Sequence, residues 1–394
     1  MRTSLVFLLA YTISQFFRAF LAVIAPELAG ELGLTPADLG NISAIWFAAF
    51  AIAQFPLGLA LDRIGPRRTV PLLMFGAVLG AFVFAQSTSG TGCLIGMGLI
   101  GLGCAPVYMG ALYVFARAYE PRRFALLSSW LLGIGSGGNL LSTTPLAYAV
   151  REIGWRASFV AVAVITLISA LLVFVVVRDP PRVMQPGARK SWPAEIAEIV
   201  SIRALWLLLP LTAVGYAIVA AERGLWIGPY LAEVHGLDPI ARGNVVLIMA
   251  IAMSVGALAY GPLDQLFGTR KWVVFTGSLV TSFAFLALGT WPQPGVFATT
   301  AILATIGAAG MTYAVLMAHA RPLFPEHLLG RGITFMNFVF IGGAGLIQLL
   351  SGAYVHSSRA AAASAAALYA QLHLAFALTL LATTALYAFS YERR

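Results

Sequence analysis

The chain has 394 residues, 60% of them hydrophobic and only 10% charged, with a formal net charge of +9 and a mean hydropathy of +0.89. Soluble domains carry about a quarter charged residues, so this composition excludes an ordinary water-soluble domain. The excess of basic residues sits in short connections between apolar runs, which reads as membrane topology rather than as a nucleic-acid surface.

Apolar runs of spanning length predict twelve helices, near 4–25, 39–61, 69–88, 91–116, 124–150, 155–177, 204–232, 241–266, 272–290, 295–319, 331–355 and 366–389. The runs are continuous rather than alternating, which excludes a transmembrane β-barrel. Arg2 precedes the first span without a cleavage pattern, so that helix is expected to act as the insertion signal and to remain. All but six of the 24 Lys and Arg fall at the N-terminus, at the C-terminus or in the loops after even-numbered spans. The exceptions are Arg18, Arg151, Arg156, Arg223, Arg242 and Arg359. The positive-inside rule therefore places both termini in the cytoplasm of a bacterial-type inner membrane.

In the first span, Tyr11, Gln15 and Arg18 share one face at i, i+4 and i+7. Arg18 precedes Pro26 by eight residues, about 12 Å of helix, and so lies well inside the membrane. A charge at that depth marks either a structural arginine capping a neighbouring helix or a ligand contact. A guanidinium there favours carboxylate or phosphate, which it grips through two hydrogen bonds. Trp46, Phe50 and Gln54 share a face of the second span, with aromatic packing as the plain alternative to a substrate contact. Tyr108 and Tyr113 in the fourth span and Asn139 in the fifth can hydrogen-bond a substrate or merely a neighbouring helix. Cys93 and Cys104 lie roughly 16 Å apart on one helix, too far for a mutual disulfide.

The seventh span contains "VAAERGLWIG" from 219 to 228, two full charges within an apolar run. Thr212, Tyr216, Val219, Arg223, Trp226 and Tyr230 form one helical stripe, which aims Arg223 and Trp226 along the same face as Tyr216. Glu222 is the one acid within the spans away from their ends, and hence the candidate proton carrier; its alternative is a fixed structural pair with an arginine. His319 and Arg321 fall near the cytoplasmic end of the tenth span. Asn337 and Gln348 in the eleventh read as interhelical hydrogen-bonding groups.

An internal repeat organises the chain. "PELAGELGLTPADLGN" at 26–41 aligns without gaps to "PYLAEVHGLDPIARGN" at 229–244, with eight of the sixteen positions identical: Pro, Leu, Ala, Gly, Leu, Pro, Gly and Asn. At the same offset Gly58 falls on Gly261, Gly65 on Gly268, Arg67 on Arg270 and Arg68 on Lys271. Two six-helix halves follow, residues 1–178 and 204–394, joined by a basic, Pro-rich cytoplasmic linker at 179–203. Carried back into the spans, the offset puts Glu222 at the flank and Arg223 nearly opposite the face that matches Arg18. This conflicts with the stripe, and an insertion or break in the seventh helix, at Gly215 or Gly224, would reconcile the two.

"GLALDRIGPRR" at 58–68 resembles the signature loop of the major facilitator superfamily, through Gly58, Asp62, Arg63, Gly65, Arg67 and Arg68. "GPLDQLFGTRK" at 261–271 is a weaker copy, with its acid at Asp264 and its bases at Arg270 and Lys271. The resemblance implies an all-α integral membrane protein of twelve transmembrane helices in two pseudo-symmetric bundles, with a central cavity lined by the first and seventh helices. From its chemistry, the loop's arginine cluster can bridge to carboxylates or helix ends in the facing half and hold the cytoplasmic side shut, so these nine residues are gating candidates. Met97 stands where many members carry an arginine in the fourth helix, and "GIGSGGNLLSTTP" lacks the fifth-helix pattern of drug/proton antiporters.

The expectation is a secondary active transporter that moves a small organic anion, a carboxylate or phosphate ester, by proton symport or anion exchange. Arg18, Tyr11, Gln15, Trp46, Gln54, Tyr108, Tyr216, Arg223 and Trp226 are the expected substrate contacts, and Glu222 the proton carrier. Drug or metabolite export, and a non-transporting membrane sensor, are the alternatives. No nucleophile–base pair, metal-ligand cluster or phosphate-cradling loop points to an enzyme, a metal or a cofactor. The partners implied are the substrate, the lipid bilayer and protons, with the chain acting as a monomer.

Overall fold

The computed structural model describes residues 2–179, 192–325 and 328–392, and among these there are helices and turns but no strand. Residues 180–191 of the 179–203 linker thus lie outside the described residues; beyond them come α9 (Trp192–Val200) and a short turn at Arg203–Leu207.

Among the described residues, ten helical segments are long and apolar enough to cross a membrane, and a bent pair supplies an eleventh. That pair is α1 (Arg2–Ala19) and α2 (Leu21–Leu32), inclined at 49°. The longest segment, Leu126–Val176, has 51 residues, far beyond the roughly 20 that a bilayer requires. It divides at Gly154, whose φ of 78° breaks the helix inside α8 (Thr144–Val176). Before the break come α6 (Pro121–Gly135) and α7 (Gly137–Leu141). With that segment counted as two, the predicted twelve spans are all accounted for. The others are α3 (Pro36–Arg63), α4 (Pro66–Ala85) and α5 (Gly90–Ala118) in the first half. The second half opens with α10 (Leu209–Ala221), continued by α11 (Ile227–His235), and proceeds through α12 (Pro239–Phe267) and α13 (Arg270–Thr290). α14 (Val296–Ala309) with α15 (Tyr313–Ala320), then α16 (Leu329–Arg359) and α17 (Ala365–Ala388), complete it.

The repeat has a physical basis at each of its punctuation points. Gly33 and Gly236 both take left-handed backbone, φ 64° and 63°, where the first helix of each half ends. Two residues later Thr35 caps α3 by accepting from the Asp38 amide at 3.2 Å, and Asp238 caps α12 by accepting from the amides of Ile240 and Ala241 at 2.8 and 3.0 Å. Pro36 and Pro239 follow as the first helical residues, where a missing N–H costs nothing. Gly65 and Gly268 repeat the device between the second and third spans, at φ 94° and 63°. Several identities across the repeat, Gly33/Gly236, Pro36/Pro239 and Gly65/Gly268, are therefore turn and first-helical-residue positions, at which backbone geometry admits little substitution.

The chain divides into two compact units. The first is Met1–Met184 with Ile227–Ala232 and Leu237–Leu247; the second is Gln185–Trp226 with Glu233–Gly236 and Ile248–Arg394. In the first, α4 and α5 approach closely through small residues: a β-carbon on Gly80 would lie 2.5 Å from the Gly96 carbonyl oxygen. Phe7, Leu57, Val70, Met74, Val107 and Phe115 form its core towards the cytoplasmic end. In the second unit Leu205, Val274, Leu316, Met336 and Tyr387 do the same. The helix contacts repeat as well. Gly101 packs on the Trp46 backbone in the first unit and Gly307 on that of Met249 in the second, so Met249 fills the place of an aromatic ring in the repeat.

Candidate functional site

In the first unit Arg18 stands in the last turn of α1, just before the bend into α2. Its guanidinium carbon lies 5.2 Å from the centroid of Trp46 and 5.6 Å from that of Phe50. The two rings stack on each other at 5.1 Å, so the cation rests on an aromatic pair rather than on an acid. Nε of Arg18 is buried and makes no hydrogen bond among the described residues. A capping arginine would spend that donor on a carbonyl; here it is held back. Tyr11 packs against Tyr108 at 5.3 Å between centroids, and Gln15 is buried on the same face of α1. Gln54 Nε2 donates to the Ala105 carbonyl at 3.4 Å, which ties that side chain to α5. The structure thus brings Arg18 to Trp46 and Phe50, and Tyr11 to Tyr108, while Gln54 bonds to backbone.

In the second unit the seventh span is interrupted by a π-helical turn over Glu222–Trp226. A π turn accommodates one residue more than an α turn, so stripe and repeat cannot both be extended across it. The wide turn surrounds Gly224 and leaves Gly215 within α10. Every residue of the turn is buried. Glu222 is fully buried, and its carboxyl faces α17, where His373 Nε2 lies 3.3 Å from Oε2. Glu222 is thus directed at a neighbouring helix. Arg223 is buried at 5% exposure. Trp226 donates its indole N–H to the Ser351 hydroxyl of α16 at 2.8 Å. Tyr216 stacks on Phe340, which stacks in turn on Tyr313, and the Tyr313 hydroxyl donates to Asn337 at 3.1 Å.

The signature loops are tied down within their own units. The Arg67 amide donates to Asp179 Oδ1 at 2.8 Å, and its Nε donates to the Phe174 carbonyl at 3.0 Å, at the end of α8. In the second unit Glu392 takes the same part. It accepts from the Thr269 hydroxyl at 2.7 Å and from the Arg270 and Lys271 amides at 2.7 and 3.4 Å, at the start of α13. An acid beyond the last span of each half thus caps the helix that follows the loop. Sequence reasoning looked for these partners in the facing half. Gly58 and Gly261 have open space around them. Arg63 and Arg68 are exposed, and the side chains of Asp62 and Asp264 lie outside the described residues.

Ion pairs gather at the outer ends of the helices. Arg242 pairs with Glu27 and is 4% exposed. Glu31 accepts from Trp155 Nε1 at 2.6 Å and from Arg156 at 2.7 Å. Arg359 donates to both oxygens of Glu233 at 2.8 and 2.7 Å. His373, Asp179 and Glu392 are the residues that sequence reasoning missed. The signals were a single histidine inside an apolar span and an acid just past the last helix of each half.

A family model described as Major Facilitator Superfamily matches residues 7–238. A probable L-galactonate transporter of Escherichia coli (strain K12) is 23% identical over 344 residues, covering 82% of this chain and 72% of that one. A hexuronate transporter of Bacillus subtilis (strain 168) is 26% identical over 360 residues, covering 84% and 82%. Among solved structures, that of the nucleoside transporter NupG superposes over the whole of both chains, 100% of each, with a TM-score of 0.77 at 13% identity.

Proposed function

The chain belongs to the Major Facilitator Superfamily, a multi-pass inner-membrane transporter rather than an enzyme, and on that premise we propose that it moves a small organic anion by alternating access. The observation that carries the anionic substrate is the Arg18 guanidinium on its Trp46–Phe50 platform, with a buried N–H donor kept unspent. Such a donor is costly to leave without an acceptor, and a carboxylate or phosphate supplies one together with the compensating charge. The Trp46 and Phe50 rings hold the guanidinium by cation–π contact, and its fork of donors suits a planar anion. Galactonate and hexuronates, for which two relatives are named, are sugar acids of this kind. Tyr11, Gln15 and Tyr108 are the proposed contacts to the polyol portion, and Arg223, Tyr216 and Trp226 are the proposed contacts in the second unit. Glu222 is the proposed proton carrier for symport, and the two signature loops with their acidic caps are the proposed gate elements.

Thermal unfolding of the detergent-purified protein tests the anion reading. Sugar acids, sugar phosphates, neutral sugars, amino acids and lipophilic cations are compared on wild type, R18A and R18K. A ligand that binds the folded form at a hundred times its Kd adds about 2.7 kcal/mol. Sugar acids or phosphates are expected to raise the melting temperature of wild type, with the shift lost in R18A and diminished in R18K. Stabilisation by lipophilic cations alone, unaffected by R18A, would refute the reading.

A further inference from the structure

Glu222 and His373 are both fully buried, in the second unit, with Nε2 and Oε2 3.3 Å apart. No hydrogen bond is made to either Glu222 oxygen among the described residues. A dry ionised carboxylate is expensive, and a proton held between carboxyl and imidazole cancels the charge of the pair. One helical turn from His373, on the same face of α17, stands Tyr369, also fully buried. It is coupled electrostatically to Glu233 and Arg359 and, more weakly, to Glu222. The Glu233 and Arg359 side chains are 35% and 46% exposed, and the positive-inside reading puts them at the outer face. Titratable groups of this unit thus occur both at the external face and beside the buried pair.

We propose that Glu222 and His373 form a single one-proton site, loaded from the external face through Tyr369 and the Glu233–Arg359 pair. This deepens the transport reading by assigning its coupling proton, and it rests on that reading only for the link to substrate. In the loaded form the pair is neutral overall, as carboxylate with imidazolium or carboxylic acid with imidazole, which have the same proton count. Loss of that proton to the cytoplasmic side, once the site faces inward, leaves carboxylate beside neutral imidazole, a net charge of −1. The charged and titratable groups around it are Arg223 in its own turn, Tyr369 on α17, Glu233 on α11 and Arg359 on α16. Phe285 of α13 packs an apolar ring against His373, 6.1 Å between centroids. Loading removes a negative charge one residue from Arg223 and so favours an anion there; release restores it and competes with that anion. Proton and substrate anion are thereby bound together without a second carboxylate.

Infrared difference spectroscopy of the full chain in detergent, as a function of pH, reads the site directly and needs no substrate. The expected result is one protonated-carboxyl band that titrates in wild type, vanishes in E222Q, and moves its midpoint at least about tenfold in proton concentration in H373Q. H373Q keeps Glu222, so it judges the pair even if E222Q does not fold. A band that persists in E222Q, or a midpoint indifferent to H373Q, overturns the proposal. A parallel assay in proteoliposomes compares galactonate counterflow with uptake driven by a pH gradient. H373Q and Y369F are expected to lose gradient-driven uptake while retaining counterflow. Gradient-driven uptake preserved in H373Q also overturns the proton site, whereas wild type that fails to exchange galactonate or any other anion sinks the anion reading and leaves the infrared band to decide the proton site.

Discussion

Gly137 and Gly342 each precede a second glycine, and a β-carbon added at either would meet nothing within 4 Å. A β-carbon on Gly138 would lie 1.9 Å from the Thr12 carbonyl oxygen, and one on Gly343 1.9 Å from that of Ala213. A carbon–oxygen contact settles at about 3.3 Å. Alanine at the second glycine thus requires α7 and α1, or α16 and α10, to part by roughly 1.4 Å at backbone level. Overpacking of that kind costs about 1–3 kcal/mol, against about 1 kcal/mol gained from the better helix propensity of alanine. At the first glycine of each pair only the gain operates. G137A and G342A are therefore expected to unfold at or slightly above the wild-type temperature, and G138A and G343A below it. Thermal unfolding of the four purified variants, followed by tryptophan fluorescence, makes the comparison between neighbours of identical chemistry. Equal midpoints for G137A and G138A, or for G342A and G343A, would refute the close approach of these helices.

Glu392 carries a pH prediction. Burial opposes its ionisation, but hydrogen bonds from Thr269 and from the Arg270 and Lys271 amides outweigh it and hold the carboxyl below the ordinary range. A depressed folded value stabilises the protein above the unfolded pKa of about 4.3, and that contribution disappears as pH falls through the folded value. E392Q is expected to flatten the acid side of the stability profile without changing the neutral-pH melting order of other variants. W226F is expected to cost about 1 kcal/mol by leaving the Ser351 hydroxyl without its buried donor; S351A should recover part of this in a double-mutant cycle, and additive effects would disprove the contact. R242A should destabilise by about 2 kcal/mol because Glu27 loses its partner, and R242A/E27A should be more stable than R242A alone.

The spans could be read from the sequence because hydrocarbon demands an uninterrupted apolar length, a one-dimensional property. The repeat was equally visible, since Gly33 and Gly236, or Pro36 and Pro239, satisfy backbone constraints that few residues meet. Arg18 and its neighbours on α1 followed from helical spacing, and Trp46 and Phe50 were found as a face before their partner was known. Pairings between distant segments were not accessible in the same way. His373 meets Glu222 only because α10 and α17 pack together, and nothing local to either segment announces it. Asp179 and Glu392 were hidden for a related reason: they sit at different distances from their loops in the two halves, so the repeat offset that aligned the glycines does not align the acids. The π turn lies between these cases. Two incompatible readings of the seventh span announced an irregularity, and only the backbone located it.

That turn has a consequence for the azimuth of everything it joins. One residue of α-helix corresponds to a rotation of about 100°. Deleting Gly224 would let the wide turn close into regular helix, and the segment before it would rotate by about that angle relative to α11. Glu222 would swing away from His373 while α11 kept its place, so a change of one residue, with no charge altered, would reset which side chain α17 meets. The extra residue acts as a phase setting for the second half of the chain, and the first half, with a bend between α1 and α2 instead, sets its own phase by other means.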